Sequence, residues 1–179
     1  MMCAIDYGSI KLLVLDVDGV LTNGQIILAP DGQEVKAFHV RDGSGMKYWK
    51  RTGRKLAIIT ARSSQAVVQR AREMDVDAVR LNAKDKLPAY ESVLAELGVS
   101  PGETAAVGDD LPDLPILWRC ALPVAVADAV DEVKRAAAYV TRLEGGAGAV
   151  RELIELILKQ AGAWEAVLAR YVPPGREHA

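Results

Sequence analysis

The sequence predicts an α/β fold: a doubly wound parallel sheet with helices on both faces, a β-hairpin insertion and no covering domain. Three observations predict it. Short continuous apolar runs recur, KLLVL at 11–15, LAII at 56–59 and TAAV at 104–107, and such runs suit strands buried on both faces. Segments of helical spacing separate them, and strands alternating with helices give a parallel sheet. A chain of 179 residues suits one domain with one core and leaves no room for a second domain over the substrate.

The elements follow in order. After the strand at 11–15, two β-prone runs at 25–29 and 34–40 flank Pro30-Asp31-Gly32, a turn signal, and predict a hairpin. Residues 43–51 read as a helix stopped by Gly53. The strand at 56–59 leads to a helix over 63–74 capped by Ser63 or Ser64. A strand at 78–81 precedes a helix over 86–97 that ends at Gly98, and a strand at 104–107 precedes a short helix over 111–118 despite two prolines. A strand at 122–126, a helix over 131–138, a strand at 139–141 and an apolar helix over 150–161 complete the core. Residues 1–162 are taken as the domain, and 163–179 as a partly disordered C-terminal extension with a frayed tail beyond Val172.

Composition narrows the function. Half the residues are hydrophobic, 26% are charged and the net charge is −2, without the basic footprint of a nucleic-acid binder. No apolar run is long enough to span a bilayer, so no membrane partner is expected. The segment 1–11 lacks a basic region followed by an apolar stretch, so no signal peptide is expected. Cys3 and Cys120 read as free thiols. The predicted address is the cytoplasm.

The chemistry lies where strands end. Asp16-Val17-Asp18-Gly19 follows the first strand, Thr60-Ala61-Arg62 the second, and Gly108-Asp109-Asp110-Leu111-Pro112-Asp113 the fourth. Right-handed crossovers bring these ends to one edge of the sheet, where ligands bind, and Lys86 at a helix start reaches the same place. Clustered carboxylates repel and need a cation, and hard oxygen ligands favour Mg²⁺. One carboxylate can then attack phosphorus, another can move the proton, and a lysine and a threonine can hold phosphate oxygens.

The order DxDGV, strand-end Thr, Lys and GDDxxD resembles the haloacid dehalogenase (HAD) superfamily of phosphatases over roughly residues 11–150. The resemblance implies a HAD-like, Rossmannoid sheet and a phospho-aspartate mechanism. It makes Asp16 the nucleophile and Asp18 the general acid/base. Mg²⁺ would be held by Asp16, the backbone carbonyl of Asp18, and Asp109, with Asp110 and Asp113 supporting those ligands. Thr60, Ala61, Arg62 and Lys86 would bind phosphate and substrate. LDVDGVLTNG, FHVRDGSGMK, IITAR, GDDLPDLP and GGAGAVREL are similar to the small capless HAD phosphatases that act on 3-deoxy-manno-octulosonate 8-phosphate (KDO 8-phosphate), a sugar phosphate of lipopolysaccharide synthesis. That family implies a homotetramer of packed hairpins in which a neighbouring subunit covers each site, with Gly146 and its segment reaching across; Arg70 is a further candidate for substrate contact. Relatives act on nine-carbon sialic-acid-type 9-phosphates. Ser63 in place of a Glu after Arg62 leans toward the eight-carbon substrate. Two departures stand out: Leu81-Asn82 replaces a Gln-Gly pair, and Ala61 replaces a Gly before Arg62.

Plainer readings compete. DxD alone could be a solvated acidic turn, Asp110 or Asp113 a helix cap, Lys84 a rival for the role of Lys86, and Arg62 and Arg70 surface arginines. Arg41 and Asp42 could shape the site mouth or hold the hairpin. His39 alone makes no zinc site. A phospho-receiver domain and a catalytically silent HAD-fold scaffold are the rival functions. The acidic pair of a receiver is adjacent and sits on the first strand, whereas here it comes late.

Overall fold

The computed structural model describes residues 5–172; Cys3 and the chain beyond Val172 lie outside them. Six parallel strands form the sheet: β1 (Leu12–Leu15), β4 (Lys55–Ile59), β5 (Ala78–Arg80), β6 (Thr104–Gly108), β7 (Leu122–Ala125) and β8 (Tyr139–Val140). Their spatial order is β5-β4-β1-β6-β7-β8. The chain winds outward from β1 to β5, then returns to the other side of β1, so the topological switch point lies between β1 and β6. Every residue of β1 and β6 is buried, as their unbroken apolar runs require.

Right-handed crossovers place α1 (Val40–Arg51) and α2 (Gln65–Glu73) on one face, and α3 (Lys86–Leu97), α4 (Leu114–Leu117) and α5 (Asp131–Ala136) on the other. Helix α6 (Ala149–Gln160) packs on α1, and a short α7 (Trp164–Leu168) packs on α6. Trp49 of α1 is fully buried, its indole N–H donating to the carbonyl of Lys55 at 2.8 Å.

Several boundaries differ from the sequence reading. The hairpin strands are only β2 (Ile27–Leu28) and β3 (Glu34–Val35). They form a separate two-stranded ribbon whose Ile27, Leu28 and Val35 stay exposed, so little packing extends it. Helix α1 starts at Val40, taking in Arg41 and Asp42. Ser64 occupies the N-cap of α2 without a side-chain cap bond. Pro112 and Pro115, which lack N–H groups, divide 111–118 into a 3-10 turn at Leu111–Asp113 and the single α turn of α4. Cys120 is a free thiol. Among the described residues, no helix is long and apolar enough to cross a membrane.

Candidate active site

Strand register sets the site. Leu15 lies beside Ile58 on one side and Val107 on the other. The residues just past this level, Asp16, Thr60 and Asp109, therefore reach the C-terminal edge together. They line a cavity of about 160 Å³ with Asp18, Ala61, Arg62, Lys86, Asp110, Pro112 and Asp113.

Lys86 is the hub. Its side chain is 4% exposed, and its ammonium pairs with Asp16 Oδ1 at 2.7 Å and Asp113 Oδ1 at 2.6 Å. The other Asp113 oxygen accepts from the backbone N–H groups of Asp109 at 3.1 Å and Asp110 at 3.4 Å. Asp113 thus ties the Asp109 loop to Lys86, while Asp110 caps the 3-10 turn by accepting from the N–H of Leu111. Lys84 lies outside the cavity lining.

Asp16, Asp109 and Asp113 bring carboxylate oxygens within 4.8 Å of one another. Three carboxyl groups face one ammonium, a surplus of two negative charges when all three are ionised. The Asp16 carboxyl is pushed up to about 6, first by burial; Lys86 opposes the rise and Asp113 adds to it. Asp109 is pushed up to about 7 by burial and then by the charges of Asp16 and Asp113. Burial alone would lower the Lys86 ammonium, but Asp16 and Asp113 outweigh it and hold it charged. An all-oxygen donor set with a surplus of two negative charges fits a hard divalent cation. Gly19 makes room for this cluster: its φ is +96°, and a Cβ there would lie 2.1 Å from Asp109 Oδ2.

Thr60 is 2% exposed, and its hydroxyl accepts from the N–H of Arg62 at 3.4 Å. The neighbouring loop explains one departure from the family pattern. Asn82 has φ +56°, and its N–H donates to the carbonyl of Arg62 at 3.2 Å. The left-handed conformation that glycine adopts freely is kept by asparagine, which tolerates it better than most residues.

Sequence reasoning missed the hairpin's contribution. Lys36, its side chain 1% exposed, pairs with Asp18 Oδ1 and, at 2.6 Å, with Glu34 Oε1. Glu34 Oε2 lies 3.3 Å from Arg62 Nη2, and Arg62 Nε lies 4.0 Å from Asp18 Oδ2. Four alternating charges thus close a ring that meets the cavity at Asp18 and Arg62. The available signal was period two: Glu34 and Lys36 fall on one face of a strand. The Asp18 carboxylate faces this ring and stands apart from the three-carboxylate cluster.

Arg70 and Gly146 do not line the cavity. Arg70 pairs with Glu73 and lies over the Phe38 ring. Gly146 donates its N–H to the carbonyl of Val20 at 2.9 Å. A Cβ on Gly145 would fall 1.7 Å from the carbonyl oxygen of Gly19, so this segment lies directly on the loop that follows Asp18 in the same chain. Asp42 is buried and accepts from the N–H of Arg151 at 2.7 Å, capping α6 from another helix.

A family model described as haloacid dehalogenase-like hydrolase matches residues 81–153. The 3-deoxy-D-manno-octulosonate 8-phosphate phosphatase KdsC of Yersinia pestis is 43% identical over 150 residues, 84% of this chain and 80% of the relative. The same enzyme of Escherichia coli K12 is 42% identical over 154 residues, 86% and 82% of the two chains. Among solved structures, the Moraxella catarrhalis enzyme, crystallised with a magnesium ion, phosphate and KDO, superposes with a TM-score of 0.90 at 40% identity, covering 93% of this chain and 95% of its own. The cobalt-bound Haemophilus influenzae phosphatase gives 0.84 at 36% identity, covering 87% and 91%.

Proposed function

Because the chain belongs to the haloacid dehalogenase-like hydrolases, among the 3-deoxy-D-manno-octulosonate 8-phosphate phosphatases, we propose that it hydrolyses the phosphate monoester of that eight-carbon sugar acid. The observation that carries this reading is the buried Asp16–Lys86–Asp113 group, with Asp109 beside it, at the floor of the cavity.

Lys86, the Thr60 hydroxyl and the backbone at Ala61 receive the phosphoryl oxygens, and Arg62 stands at the mouth, 44% exposed. Asp16 attacks phosphorus. The bond to the sugar oxygen breaks, its electron pair stays on that oxygen, and Asp18 supplies the proton. Water then gives a proton to Asp18 and attacks the aspartyl phosphate, releasing inorganic phosphate and restoring the Asp16 carboxylate. Asp16, the Asp18 backbone carbonyl and Asp109 would hold a magnesium ion, which would supply positive charge against the phosphoryl oxygens. Asp113 and Asp110 position the Asp109 loop and Lys86.

The enzyme works in the cytoplasm as a homotetramer. The exposed Ile26, Ile27, Leu28 and Val35 of the hairpin support self-association, since a cluster of apolar side chains gains by being covered. Arg70 and Gly146 take their substrate contacts in that assembly.

Phosphate release from KDO 8-phosphate and from a nine-carbon sialic-type 9-phosphate tests the reading. With magnesium, kcat/KM favours the eight-carbon ester, and chelation stops turnover. No release from either ester would overturn the assignment, and preference for the nine-carbon ester would replace the substrate.

A further inference from the structure

We propose that Lys36 is a positioning residue for Asp18, and that the hairpin strand β3 thereby sets which oxygen of Asp18 handles the proton. The proposal rests on the role given to Asp18 above.

A carboxylate has two chemically equal oxygens and a freely turning terminal bond. Here they are made unequal. Oδ1 is taken by Lys36, whereas Oδ2 is buried and has no hydrogen-bond partner. Arg62 Nε stands 4.0 Å from Oδ2, beyond hydrogen-bond reach. A buried oxygen left unpaired is costly unless it has a task. No hydrogen bond commits Oδ2, so it is the oxygen left for the leaving group, and then for water, when substrate occupies the cavity that Asp18 helps to line.

Lys36 is built for this placement. A lysine on a two-stranded ribbon would ordinarily hold its ammonium in water, but the side chain of this one is 1% exposed and its ammonium is held between Glu34 and Asp18. A tether for the hairpin does not require it, because Glu34 already bonds Arg62 in the loop after β4. Lys36 therefore does something more local: it fixes the rotation of the Asp18 carboxylate.

The test separates positioning from mere stability through the leaving group. Loss of the sugar alkoxide needs a proton, whereas p-nitrophenolate leaves without one. Single-turnover phosphoryl transfer to the holoenzyme is measured with KDO 8-phosphate and with p-nitrophenyl phosphate, for wild type, Asp18→Asn, Lys36→Met and Glu34→Gln. Lys36→Met slows transfer from the sugar phosphate by about tenfold or more, a part of the 10²–10⁴ that a general acid contributes, and changes the p-nitrophenyl rate by less than about threefold. KM for the sugar phosphate stays within about threefold. Equal losses on both substrates, or no loss, would overturn the proposal. Should Lys36→Met not fold, Glu34→Gln carries the test: it frees Lys36 from one anchor and gives the same selectivity in weaker form, and its absence there counts against Lys36. Asp18→Asn is the reference. If it slows both substrates alike, the assignment of Asp18 fails and this proposal falls with it, whereas selectivity in Asp18→Asn without selectivity in the hairpin variants sinks Lys36 alone.

Discussion

Two charged clusters adjoin one another in this molecule, and they are balanced differently. Around Lys86, three carboxylates face one ammonium inside the sheet edge. Around Lys36, two carboxylates face two cations, and the ring closes on itself. A charge set that is already paired can serve as scaffold. One left with surplus negative charge stores repulsion that a cation relieves, and so acts as a receptor. The contrast separates the part of the site that binds from the part that aims.

Removing the nucleophile breaks the contrast most severely. Asp16→Asn leaves the hairpin ring untouched, yet turnover in the phosphate-release assay falls by at least about 10³-fold while the fold persists by circular dichroism. Near-normal activity in the purified variant would end the mechanism.

Lys86→Met sharpens the contrast through stability. It leaves buried carboxylates uncompensated and costs about 3–5 kcal/mol in urea unfolding of the metal-free protein, part of which magnesium returns. A loss independent of magnesium would mean that the cation does not share this cluster.

Smaller effects follow from the raised carboxyls. Asp16 at about 6 and Asp109 at about 7 lie above their ordinary 3.8, so the folded chain binds these protons more tightly than the unfolded chain. Their stabilising contribution is complete below the ordinary value and is lost as pH climbs through 6 and 7. Magnesium therefore raises Tm more at about pH 8 than at about pH 5, because protonation and the cation relieve the same repulsion. Asp109→Asn raises the Tm of the metal-free protein by roughly 2–4 °C near neutrality and removes most of the magnesium response. A uniform magnesium shift across pH would contradict this.

The smallest effect tests the loop at Asn82. Replacement by glycine leaves stability within about 0.5 kcal/mol, while Asn82→Ala costs roughly 1 kcal/mol in urea unfolding, because alanine resists the left-handed backbone.

The two clusters also differ in how readable they were. Asp16, Thr60 and Asp109 could be placed from sequence because each follows an unbroken apolar run, and parallel register aligns such runs without further information. Lys86 was legible as the start of a helix near that edge. The hairpin ring was not. Glu34 and Lys36 sit beside exposed residues, and alternating charge on a short ribbon reads as a solvated face until the ribbon's docking is known. The ribbon was overestimated for the same reason, since β-propensity marks residues that fit a sheet, not residues that have one. Helix α7 escaped because a five-residue helix gives too few turns for a periodic signal, and the left-handed state of Asn82 leaves no mark in composition. The close backbone approach inferred for the GGAGA segment has a partner within the chain itself, which no local pattern could identify.

That approach bears on when the enzyme comes alive. The loop that follows the nucleophile leaves the ribosome well before the glycines that brace it. Until Gly145 and Gly146 emerge and settle, the turn at Gly19 has nothing behind it, and a nascent chain can hold a formed early strand without a working catalytic loop. Activity thus waits on the glycine segment and not on the loop alone.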